Sequence, residues 1–160
     1  MLGAGPFAGW LANRVGSKVP LVLGTALTAA SFALLAVAHS QEWHVILAVL
    51  LLGAGIGTSF ASMANLIVDA APQHQTGEAT GMNTIMRTVG GAFGGQIAAA
   101  IVTGHVIAGT GQPAESGFTT AFAMGAIALT IGIVAALAIP DPRGRALRLA
   151  GRAADTPARG

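Results

Sequence analysis

The chain has 160 residues, of which 53% are hydrophobic and only 9% charged, with a net charge of +2 and no cysteine. A soluble domain of ordinary composition is about 25% charged, so this composition excludes a typical water-soluble globule. The lack of cysteine excludes a disulfide framework and a thiolate metal site. Glycine contributes 23 residues, an enrichment that belongs to transmembrane helices.

Residues 1–12 are apolar but fall short of the roughly 20 residues that a spanning helix needs. They read as the end of a helix whose beginning lies upstream, or alternatively as a short interfacial segment. Residues 13–18, NRVGSK, form a charged turn. Residues 19–38 are uncharged and give the first complete span, with Pro20 tolerated at a helix start. A short loop follows, carrying Glu42 and the interfacial anchor Trp43. The second span covers residues 45–68 and is closed by Asp69 and Pro72.

Residues 77–108 form the stretch around which the rest is arranged, expected as one helix with Thr76 as N-cap and Glu78 in its first turn. Its membrane-spanning part is residues 83–108. Met82, Ile85, Met86, Val89 and Phe93 recur at helical spacing as a bulky stripe. Gly77, Gly81, Thr84, Thr88, Gly91 and Gly95 make a small face, with Arg87 beside it. A turn-rich loop with Glu115 leads to the fourth span, residues 118–139, and residues 141–160 form a basic tail expected to be disordered.

A four-span reading places all basic residues on one side: Arg14 and Lys18 in the first turn, Arg87 near the second-to-third connection, and Arg143, Arg145, Arg148, Arg152 and Arg159 in the tail. The intervening loops carry only Glu42 and Glu115. The positive-inside rule then puts the 13–18 turn and the tail in the cytoplasm of a multi-pass plasma-membrane protein. Arginines behind a last span are what this rule expects, so they do not point to nucleic acid.

Candidate functional residues follow from position. Gly53 and Gly57, and Gly90, Gly91, Gly94 and Gly95, have the spacing that lets helix backbones approach in lipid. Arg87 is a charge at the edge of an uncharged run, read either as snorkelling to headgroups or as a partner for a carboxylate or an anionic substrate group near the inner mouth. Asp69 is the nearest candidate partner, and Gln96 is the one amide inside the third span. His39, His44 and His105 are scattered and lack a carboxylate cluster, so no metal is expected. No nucleophile–base pair or phosphate loop is present, so neither an enzyme nor a cofactor is expected.

Residues 9–21, GWLANRVGSKVPL, resemble the cytoplasmic loop signature of the major facilitator superfamily, G-x-L-a-D-r-x-G-r-k-x-x-l. Gly9, Leu11, Ala12, Arg14, Gly16, Lys18 and Leu21 match; Asn13 replaces the family's Asp, and Ser17 replaces a basic residue. The resemblance implies a loop that joins two spans and helps hold the inner gate shut, with Gly9, Asn13, Arg14, Gly16 and Lys18 as its working residues. Without the Asp, a charge relay through position 13 is not implied. Downstream, Gly77, Gly81, Asn83, Arg87, Gly90, Gly91 and Gly94 resemble the penultimate-helix region of fourteen-span drug:proton antiporters.

Together these likenesses imply an all-α integral membrane fold: a partial helix and four spans from a major-facilitator C-terminal bundle. They imply as partners the lipid bilayer, a missing N-terminal half, a small or drug-like substrate and a proton. No span holds a central Asp or Glu, so a coupling carboxylate would lie outside this chain. The alternative is a small four-span structural or oligomeric partner. Small multidrug exporters resemble it in length but need a glutamate that residues 19–38 lack.

Overall fold

The computed structural model describes residues 16–38, 41–107 and 110–139. It contains four long helices: α1 (Lys18–Val37), α2 (Glu42–Ala70), α3 (Thr76–Gly104) and α4 (Glu115–Ala138), with a 3-10 turn at Gln73–Gln75 before α3. All four are long and apolar enough to cross a membrane. The fold is all-α and integral to the membrane. The helices run alternately up and down. One end gathers the start of α1, the end of α2, the start of α3 and the end of α4, and carries Lys18 and Asp69.

Helices in lipid gain little from hydrophobic burial against one another; close backbone approach and interhelical hydrogen bonds hold them instead. The α1–α2 contact is built this way. A Cβ on Gly24 would lie 2.8 Å from the Gly55 carbonyl oxygen, and one on Gly55 would lie 2.7 Å from that of Gly24, so neither position can carry a side chain without moving the backbone. Beside the crossing, Ser31 Oγ donates to the Ala48 carbonyl at 2.7 Å, and Thr25 Oγ1 lies 3.4 Å from Ser59 Oγ. Thr28, Thr58 and Ser62, all buried, donate to carbonyls four residues back in their own helices. The expected contact through Gly53 is not made: nothing lies within 4 Å of a Cβ there. Residues two apart on a helix point to nearly opposite sides, so seating Gly55 turns Gly53 away.

Helix α1 is also wedged against α4. Phe32 occupies the notch left by Gly125, where a Cβ would stand 2.5 Å from the ring, and meets Phe122 edge-on at 6.0 Å. Toward the Lys18 end, Leu21, Leu66 and Ala136 form a small core joining α1, α2 and α4.

Helix α3 differs, because it has no buried residue. Both its bulky stripe and its small face are open, and nothing lies within 4 Å of a Cβ on Gly77, Gly81, Gly90, Gly91, Gly94 or Gly95. Thr80, Thr84 and Thr88 donate in succession to the carbonyls of Thr76, Thr80 and Thr84. The helix begins after Gln75, not after a Thr76 cap; the Thr76 hydroxyl reaches back to Pro72 and Gln73 carbonyls. It ends at Gly104, short of the expected residue 108. His105 turns out of the helix, the Ala114 amide donates to its carbonyl at 2.7 Å, and Val106 bridges Pro113. These bonds start the turn into α4 before another helical turn can form. Gly117 closes the junction by packing on Val102 and His105.

Candidate functional site: a clasp at one end and an arginine on the open face

The sequence motif places its charged turn where three helix ends meet. Gly16 has φ 87°, a left-handed conformation that costs an ordinary residue about 1–2 kcal/mol and glycine almost nothing. That turn delivers Ser17 and Lys18. The Ser17 hydroxyl, buried at 7% exposure, donates to an Asp69 carboxylate oxygen at 3.4 Å, a long bond that ties the turn to the end of α2. Lys18 Nζ donates to the carbonyls of Leu137 and Ile139, both at 2.7 Å. These are the last, unsatisfied carbonyls of α4, at the end of its dipole that attracts a cation. The turn thus clasps the first described helix to the last. Gly9, Asn13 and Arg14, the remaining motif residues, and the basic tail lie outside the described residues.

Arg87 and Asp69 receive different partners. Asp69 faces Ser17, whereas the Arg87 guanidinium sits 4.0 Å above the centre of the Phe60 ring. The expected charge pair is therefore not formed. Phe60 lies nine residues before Asp69, about 13.5 Å along α2. Arg87 is thus seated well inside the uncharged run of α2. An arginine near the bilayer centre costs about 2.5–3.5 kcal/mol on insertion scales. A desolvated cation–π contact returns about 2 kcal/mol, but it uses none of the five N–H donors. Among the described residues, none accepts a hydrogen bond from Arg87.

Between Arg87 and the connection at residues 71–75, the ends of α2 and α3 flank an open groove of about 640 Å³. Ile67, Ala70 and Pro72 line one side, and Met82, Asn83 and Met86 the other. Glu78 also lines it. Gln96 is exposed on α3, and its side chain makes no hydrogen bond among the described residues.

Two positions that do most to organise the site were not singled out from the sequence. Gly24 sits in a plain apolar run, and only its pairing with Gly55 gives it a role. Phe60 was hidden among small residues of the second span. Its signal is positional, because Phe60 and Arg87 are equally far from the turn at residues 73–74 and so stand level in an antiparallel pair.

The crossing helices, the sparse charge and the small-residue contacts define the class: a multi-pass α-helical membrane protein. A family model, the Major Facilitator Superfamily, matches residues 1–159, and the chain belongs to that superfamily of transporters. No curated protein matches the chain, and no solved structure does.

Proposed function

We propose that the chain supplies the C-terminal helices of a proton-coupled exporter of small or drug-like molecules in the plasma membrane. It works there with an N-terminal half that carries the coupling carboxylate. The observation that carries this reading is the contrast between α1 and α3. Helix α1 is enclosed by α2 and α4, whereas α3, 29 residues long, has no buried residue. A helix open on all sides beside a groove is what the cargo-facing side of half a transporter presents, since such proteins hold their cargo between two repeats near the midplane. The Gly16–Lys18 clasp, with Asn13 and Arg14 next to it in sequence, supports a cytoplasmic gating role.

Two measurements test the proposal. Sequencing the transcript upstream of the Met1 codon is expected to reveal an open frame with further hydrophobic spans and a membrane Asp or Glu. Inside-out vesicles containing the product are then expected to accumulate ethidium when energised and to release it on addition of a protonophore. A stop codon directly before Met1, or dye accumulation indifferent to the protonophore, would sink the reading.

A further inference from the structure

The connection between α3 and α4 keeps its polar groups occupied and turns apolar ones outward. Helix α3 stops at Gly104 and α4 begins at Glu115. The described residues between them bond to one another and to the end of α3. The amides of His105, Ile107, Thr110 and Ala114 donate to the carbonyls of Val102, Gln112, Ile107 and His105 at 3.3, 2.9, 3.2 and 2.7 Å. The Gln112 amide donates to Thr110 Oγ1, and His105 Nδ1 donates to the Ile101 carbonyl. Pro113, bridged to Val106, has no amide to satisfy. The side chains beside these bonds are open, with Val106 52% exposed and Ile107 49%. No Asp, Glu, Lys or Arg occurs from residue 88 to residue 114.

We propose that this connection lies in the lipid interface at its end of the bundle, with Val106 and Ile107 inserted among the upper acyl chains and Thr110 on the water side. A loop that projects into water can leave its amides to the solvent, and it gains nothing by showing two branched apolar side chains. Between headgroups and hydrocarbon the balance reverses. Unpaired amides are costly there, and these are already paired. Valine and isoleucine gain by leaving water, and no charged side chain in the segment resists the move. The position fits as well. Gly117 of α4 packs on Val102 and His105, so the connection sits directly on the ends of two spanning helices. Trp43, 56% exposed at the start of α2, stands at the same end of the bundle, and tryptophan favours the same layer. The proposal rests on the membrane-spanning fold alone and is independent of what the protein carries.

Methyl NMR of the full 160-residue chain in phosphatidylcholine nanodiscs tests this with two paramagnetic probes. One is phosphatidylcholine carrying a nitroxide near the top of its acyl chain, and the other is a water-soluble gadolinium chelate. The lipid nitroxide is expected to erase most of the Val106 and Ile107 methyl intensity. The chelate is expected to spare both and to erase the Thr110 methyl signal. The proposal is overturned if the chelate erases the Val106 and Ile107 signals. It is equally overturned if neither probe touches them, since protein and not lipid would then cover them. A thiol measurement gives a second reading, because the native chain has no cysteine. Ile107→Cys should react with a water-soluble maleimide several-fold more slowly than Thr110→Cys in the same nanodiscs; a rate equal to or above that of Thr110→Cys would reject the insertion. The methyl experiment uses the native chain, so a misfolded variant does not protect the idea.

Discussion

Single residues carry unequal weight in this chain. Lys18 neutralises the carbonyl end of α4 through two short bonds. Replacing it with methionine keeps the stem but removes the donors, and is expected to cost about 1 kcal/mol given its partial exposure. Lys18→Arg should recover most of that loss. Thermal unfolding in mild detergent reads both. The glycines divide just as sharply. Gly24→Val forces a side chain into the backbone of α2 and should abolish a folded, monodisperse species, whereas Gly53→Val meets nothing and should leave yield and melting temperature unchanged. Equal damage from the two would show that the α1–α2 crossing is not where Gly24 and Gly55 put it. The turn glycine at position 16 was legible in the motif. The hold of Lys18 on Leu137 and Ile139 was not, because the bonds join residues well over a hundred positions apart and no local pattern encodes them.

At the scale of elements, contacts between sequential helices follow a simple arithmetic that the sequence contains. Short connections force neighbours to run antiparallel, so residues equally far from a turn stand level. Gly24 faces Gly55 and Ser31 reaches Ala48 about one turn, Val102 meets Gly117 about another, and Arg87 covers Phe60 about a third. Register was thus readable, and so was the existence of each helix, from its uncharged run. Which side of each helix turns inward was not readable: every face is apolar, and the choice of Gly55 over Gly53 depends on the small residues opposite. The α1–α4 contact was hidden for a further reason, because Phe32 and Gly125 belong to helices that are not consecutive. The α1–α2 register has a direct check. The native chain has no cysteine, so a Thr25→Cys, Ser59→Cys double variant should oxidise to an internal disulfide, seen as loss of both alkylatable thiols by mass spectrometry. Persistence of both thiols after oxidation would reject the observed register.

For the whole molecule, sparse charge and four long uncharged runs were enough to identify a membrane bundle, and the loop motif was enough to point to the superfamily. Orientation is a prediction from charge. With Lys18 and the basic tail toward the cytoplasm, Thr110→Cys should react with an impermeant maleimide in intact cells, and Gln75→Cys should react only after permeabilisation; the reverse pattern would invert the topology. What the sequence could not reveal was how unevenly the four helices are enclosed.

The threonine series along α3 gives that unevenness a mechanical meaning. Each hydroxyl of Thr80, Thr84 and Thr88 shares a carbonyl with the backbone ladder, and such sharing weakens the ladder slightly and favours bending. Several glycines follow on the same helix, and glycine resists bending less than any residue with a side chain. Helix α1 is instead braced on two sides and pinned at its foot. Stiffness is therefore distributed unevenly, with a rigid post on one side and a compliant leaf on the other, and a load applied at the open face would be taken up as curvature of α3 before it moved α1. Amide hydrogen exchange should rank the two helices the same way, fastest in α3 around residues 88–95 and slowest in α1 around Gly24.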